Sequence, residues 1–229
     1  YALDLAGMGE SEWTQDTDLG FSAHVDRTLA FATHLGLSSY HVLGHDTGGT
    51  VARLLAVKDS ERVRSVTVVD TEIPYKFPPA VTLLQKLHGN PLTRWILKRA
   101  LASEMFVESN SGYGGFFADR SFFTDEFMQL FVHSWHRTRH AYGGLMAYLC
   151  AVDPKIVDTL DEVHARTRVP MLFIWGKGDR VFPLKYAREM VAKIPGDAHL
   201  VEIDKAHFLP HEEQPDAAAD ALLTFLQSS

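Results

Sequence analysis

Cysteine is nearly absent: Cys150 is the only one in 229 residues. No internal disulfide can form, which suits a reducing compartment, and the chain is expected to be cytoplasmic. A lone thiol of this kind is expected to pack as a small buried hydrophobe. Long hydrophobic runs are also missing, since none approaches the length of a spanning helix. Positive charge is in deficit, with 22 Lys and Arg against 29 Asp and Glu and a net charge of −7. Without a basic stripe, nucleic acid and anionic membrane are excluded as main partners. Metal-ligand spacing is missing too. His133, His136 and His140 recur at helical spacing, but no Cys or carboxylate completes a set, so they read as a solvated or site-lining face. No metal or organic cofactor is expected. No internal repeat or low-complexity tract is present. What is present is ordinary globular composition, 46% hydrophobic and 22% charged, which rules out disorder.

Strand-like segments rich in β-branched and aromatic residues fall at 1–5, 40–44, 65–70, 171–175 and 199–203. Helical periodicity alternates with them at 21–35, where Phe21, Val25, Leu29, Ala32 and Leu35 recur every three or four residues, and at 48–57, 184–194 and 215–225. Such alternation predicts an α/β fold with a doubly wound, mostly parallel sheet. The exception is 74–166, about ninety residues without a convincing strand. It opens on a Pro-rich turn and continues with helical stretches near 92–105, 125–133, 140–150 and 155–166. A crossover needs only about a dozen residues. The predicted organisation is therefore a core of 1–73 and 167–229 with an inserted helical cap at 74–166. Gly112-Tyr113-Gly114-Gly115 within it reads as a flexible loop, and Arg94, Lys98 and Arg99 as the polar side of an amphipathic helix.

Gly44-His45-Asp46-Thr47-Gly48-Gly49 lies directly after one predicted strand and before a helix. This is the setting of a nucleophile elbow, G-x-S-x-G, with Asp in place of Ser. Asp179, in Trp175-Gly176-Lys177-Gly178-Asp179, follows the strand at 171–175. His207, in Asp204-Lys205-Ala206-His207-Phe208-Leu209, follows the strand at 199–203. All three fall past the carboxyl ends of parallel strands, where open α/β sheets place their sites. They occur in the order nucleophile, acid, histidine expected of such a fold. Each also has a plainer reading. Asp46 suits a turn, Asp179 a helix N-cap, and His207 the surface, while Asp70 competes as the acid.

The Asp46 type favours one chemistry. A carboxylate attacking an ester would form a reactive anhydride, whereas attack on an electrophilic sp³ carbon forms a stable ester. A histidine is then needed only to activate the water that hydrolyses that ester, with an acid to fix its tautomer. The oxyanion forms on Asp46 itself, where the Thr47 backbone N–H is placed to stabilise it.

These motifs, with Asp4-Leu5-Ala6-Gly7-Met8-Gly9-Glu10-Ser11 and Ala206-His207-Phe208-Leu209-Pro210, resemble the α/β-hydrolase superfamily. The resemblance is to its Asp-nucleophile branch of epoxide hydrolases and haloalkane dehalogenases. It implies Asp46 as nucleophile, His207 as base and Asp179 as the group that orients the histidine. Haloalkane dehalogenases of this branch usually carry Trp after the nucleophile, and fluoroacetate dehalogenases Arg; here Thr47 stands there. Epoxide hydrolases use cap tyrosines to protonate the opening ring, and Gly143-Gly144-Leu145-Met146-Ala147-Tyr148 is similar to the stretch that carries one. Tyr148 is thus a candidate acid or a cap core residue, with Tyr113 and Tyr142 possible by location. His45, Trp135, Tyr142, Trp175 and Phe208 are expected to line a mostly apolar pocket. The expected substrate is a small, uncharged, apolar epoxide. The alternatives are a haloalkane, or a non-catalytic hydrolase-like scaffold that binds a ligand or partner. The resemblance also places 1–5 in the fourth strand of the family's sheet. Three preceding strands, at least roughly 30 residues, are then expected to be absent, together with the loop that supplies the second oxyanion N–H.

Overall fold

The computed structural model describes residues 1–101, 103–134 and 138–228. Trp135 and His136 therefore lie outside the described residues. Four parallel strands, β1 (Tyr40–His45), β2 (Val63–Val69), β3 (Met171–Gly176) and β4 (Ala198–Ile203), lie side by side in chain order. All six residues of β3 are buried. That accounts for its unbroken Met-Leu-Phe-Ile-Trp run, since a parallel strand covered on both faces has no polar side. Alternate side chains feed separate layers. Val66, Val68, Phe173 and Trp175 pack with Ala52 and Ala56 of α2 (Thr47–Lys58) and with Ala187 and Met190 of a later helix, Leu184–Val191. Val69, Leu172, Ile174 and Ile203 pack on the opposite face with Ala218 and Phe225 of the C-terminal helix, Pro215–Ser228.

The helix predicted at 21–35 is α1 (Phe21–His34), ended by a Schellman turn. Gly36 at φ +67 lets the Leu37 N–H reach Ala32 O at 3.1 Å and its own N–H reach Thr33 O at 3.0 Å. The strand expected at 1–5 is not formed. Among the described residues β1 pairs with β2 alone, and without a ladder partner the segment instead closes a turn. The Asp4 carboxylate accepts the Glu10 N–H at 3.0 Å, and Ser11 Oγ donates to Asp4 O at 2.5 Å.

Between β2 and β3 the described residues form helices and turns. α3 (Pro79–His88), started by a proline at its first position, stands where the sequence suggested only a Pro-rich turn. α4 (Pro91–Leu101) and α5 (Arg139–Ala151) follow. The stretch at 155–166 divides at Thr159 into Pro154–Asp158 and Leu160–Arg166. The glycine-rich loop is wound into a 3₁₀ turn, Tyr113–Phe116, with Gly114 and Gly115 buried. Cys150 is exposed, not buried, with Sγ 3.5 Å from His88 Nδ1. It lies four residues after the buried Met146, on the same side of α5 but in its last turn.

Where β1 runs into α2, the chain turns so tightly that a Cβ on Gly44 would lie 2.1 Å from Gly48 O, while one on Gly48 would meet nothing within 4 Å. Gly44→Ala is expected to lower stability by about 2 kcal/mol or more, as a forced backbone shift does. Gly48→Ala, in the first turn of α2, is expected to be neutral or mildly stabilising. Urea unfolding of the two variants checks this.

Candidate active site

Asp46 is the residue at the corner between β1 and α2, with φ 51 and ψ −128. A side chain there is strained by about 1–3 kcal/mol, which the surroundings must over-determine. They do so from several sides. The Asp46 N–H donates to Val69 O at 3.2 Å and Asp70 O at 3.0 Å, and Asp46 O accepts from Gly49 N at 2.9 Å and Thr71 Oγ1 at 2.8 Å. Thr71 is held in turn by a buried guanidinium. Arg53 donates to Thr71 Oγ1 at 2.8 Å, Thr50 Oγ1 at 3.0 Å, Glu72 O at 3.0 Å and Gly49 O at 3.1 Å. Its partner is the buried Glu72 carboxylate, 3.9 Å away, which also accepts Thr50 Oγ1 at 2.7 Å. Burial lowers the Arg53 pKa to about 10, while the Glu72 charge acts to raise it. This ion pair under the elbow was not foreseen from sequence. Its only signal was an arginine in the small, aliphatic run of α2.

The same setting drives the Asp46 carboxyl well above the ordinary carboxylate range. Burial is the main cause, helped by the negative charges of Glu72 and Asp179 and opposed by a hydrogen bond from the Thr47 N–H. Thr47 follows Asp46 directly and opens α2. Its hydroxyl accepts from the Tyr148 phenol at 2.5 Å. Tyr148, 4% exposed, reaches it because α5 lies close on the turn after residue 5. A Cβ at Gly144 would stand 2.4 Å from Gly7 O and 2.8 Å from Trp13 Nε1. Burial raises the Tyr148 phenol above its usual value, so it keeps its proton.

Asp179 and His207 come together past the ends of β3 and β4. Asp179 Oδ1 accepts the Val181 N–H at 2.7 Å. A Cβ on Gly178 would fall 2.2 Å from His207 Cδ2 and 2.5 Å from Nε2, so the Gly-x-Gly before Asp179 makes room for the imidazole. Asp179 Oδ2 and His207 Nδ1 are both buried without a hydrogen-bond partner. They are the two atoms that an acid–histidine pair would join. Burial raises Asp179 to about 6. Asp70, the other candidate acid, lies beside Asp179. Both Asp70 oxygens lie 3.2 Å from the Gly176 N–H. Burial, then the nearby Asp179 charge, push Asp70 up strongly.

The expected pocket residues divide. His45 lies behind Asp46, its Nε2 3.0 Å from Phe208 O and its ring centroid 4.6 Å from that of Phe208. Burial and the neighbouring His211 lower it to about 3, so it is neutral. Trp175 does not line a pocket. It is 0% exposed, in the core with its indole N–H donating to Phe182 O at 2.8 Å, because odd positions of β3 face α2. Tyr142 lies under Lys98 of α4, whose ammonium is 5.2 Å from the ring centroid. Tyr113 packs on Phe116 and Phe127. An open cavity of about 430 Å³ lined by Leu3, Arg27, Phe31 and His34 includes none of these residues.

A strained acidic elbow, with an acid and a histidine past the next strands of a parallel sheet, defines a hydrolase architecture. Comparison with known proteins agrees: the model of the alpha/beta hydrolase fold family matches residues 1–214, and the chain belongs to that family and is a hydrolase. It is 28% identical to haloalkane dehalogenase 2 of Mycobacterium tuberculosis over 97% of this chain and 76% of that protein. Among solved structures, a variant of the meta-cleavage product hydrolase CumD from Pseudomonas fluorescens IP01 superposes with a TM-score of 0.78 at 19% identity, covering 98% of this chain and 78% of that one. The epoxide hydrolase CorEH gives 0.77 at 19% identity, covering 98% and 80%.

A carboxyl whose pKa rises on folding favours the folded state at low pH, and that contribution is lost as pH climbs through the folded value. For Asp179 the window runs from its ordinary 3.8 to about 6 and corresponds to about 3 kcal/mol. Asp179→Asn is therefore expected to stabilise the protein by about this amount at pH 8 and to leave it unchanged near pH 3. Paired urea titrations at the two pH values check it, and equal effects at both would contradict it.

Proposed function

We propose that this hydrolase uses Asp46 as a nucleophile on a small, uncharged, apolar epoxide. Residues 74–166 act as a cap over a core of residues 1–73 and 167–229. The observation that carries the reading is the Tyr148 phenol, protonated and bonded to the residue next to Asp46. The Asp46 carboxylate attacks a ring carbon, the C–O bond breaks, and the Tyr148 proton passes to the alkoxide, which would otherwise leave poorly. His207, oriented by Asp179, then takes a proton from a water that adds to the Asp46 carbonyl carbon. The Thr47 N–H bears the oxyanion formed on Asp46. Collapse releases the diol and restores the carboxylate, and the proton held on His207 returns to Tyr148. Poor solvation, which raises the Asp46 pKa, also leaves its ionised form a less shielded nucleophile. Substrate and water are the only partners in this scheme, with no metal or cofactor.

A haloalkane is the second reading, favoured by the 28% identity to a protein of that activity. A halide leaves without a proton and would make Tyr148 dispensable, while Thr47 offers no indole donor to hold it.

His207→Gln is expected to trap the alkyl ester, seen as added mass on the peptide containing Asp46; its absence across epoxides and haloalkanes alike overturns the covalent scheme. Tyr148→Phe is expected to cut epoxide turnover by about 10²-fold or more while sparing haloalkanes, and equal losses on both would assign Tyr148 to packing.

A further inference from the structure

The loop that carries His207 is fastened by a residue the scheme above does not use. Glu213, at the end of the short helix Pro210–Glu213, is 3% exposed. One of its oxygens, Oε2, accepts the His207 backbone N–H at 2.7 Å. The other, Oε1, accepts the N–H of Ala118 at 2.6 Å and that of Asp119 at 3.3 Å, both in the helical segment between β2 and β3. A buried carboxylate bonded to three backbone N–H groups is held firmly, because releasing any of them strands a desolvated donor or charge. A second link runs parallel to it. The Phe208 N–H donates to Phe116 O at 3.2 Å, and the two rings lie 4.9 Å apart.

We propose that Glu213 is a positioning residue that registers the His207 base against the inserted segment, so that the base is placed only when the 116–119 stretch is seated. The inference rests on the role of His207 given above. If His207 acts only in ester hydrolysis, Glu213 should matter for that half-reaction and not for the attack by Asp46, which needs no base. An ordinary buried carboxylate that merely stabilises the fold would slow both halves alike.

Glu213→Gln keeps the size but turns an N–H₂ toward one set of donors; Glu213→Asp falls one methylene short and serves as the milder variant should the first fold poorly. In single-turnover reactions of either variant, ester formation on Asp46 is expected to stay within about threefold of the unaltered protein. Ester hydrolysis is expected to slow by tenfold or more, as small misplacements of a catalytic group do, so the ester accumulates. Amide hydrogen exchange at Ala118, Asp119 and His207 is expected to speed up together. Equal losses in both half-reactions, or faster exchange on one side only, would overturn the proposal. His207→Gln serves as the control. If it and the unaltered protein form no ester, the nucleophile reading fails, and the joint or separate loss of amide protection still decides whether Glu213 couples the two segments.

Discussion

The corner at Asp46 is the constraint on which the rest depends. A non-glycine residue at φ 51 is tolerated only where its surroundings leave no alternative. Here those surroundings are the Gly44–Gly48 contact, the paired acceptors at Val69 and Asp70, and the Thr71 hydroxyl. Arg53 lies beneath them all. It binds the elbow backbone through Gly49 O and the supporting strand end through Thr71 and Glu72, and so fixes two elements at once. Replacing a buried pair such as Arg53–Glu72 with apolar groups of the same volume can cost little. Its value here is that it specifies one geometry for the turn.

The second theme is crowding of acids. Asp70, Glu72, Asp179 and Glu213 are all nearly inaccessible, and Asp46 feels two of them. Burying a carboxyl away from water is costly unless its oxygens find donors. Their hydrogen-bond partners are backbone donors more than cations: Gly176 for Asp70, Val181 for Asp179, and Ala118, Asp119 and His207 for Glu213. These donors come from the loops just past the strand ends, where residues from distant parts of the chain converge. Stability and reactivity therefore draw on the same short segments.

The elbow, the Trp175–Asp179 loop and the His207 loop were legible in the sequence because each is local. A strand, a turn chemistry and a functional residue sit within six or seven positions. The parallel sheet was legible for the same reason, through β-branched runs such as Val66 to Val69. The roles of Arg53, Glu72 and Glu213 were not, since their partners lie far along the chain; Ala118 and Glu213 are 95 residues apart. Periodicity could not tell which side of β3 Trp175 would take, because both sides of that strand are apolar. Residues 1–5 have a strand's composition, but a strand also needs a neighbour to bond. Cys150 shares a helix side with the buried Met146, so composition and periodicity predict it buried, yet it stands exposed in the last turn of α5.

On the proposed scheme Asp46 makes and breaks a covalent bond in each turnover. Single-turnover reaction with an epoxide in ¹⁸O-enriched water, followed by mass analysis of the peptide containing Asp46, tests it most directly. One carboxylate oxygen of Asp46 is expected to become labelled, since the ester carbonyl carbon is where water attacks. An unlabelled Asp46 beside a diol that has taken its oxygen directly from solvent would contradict it.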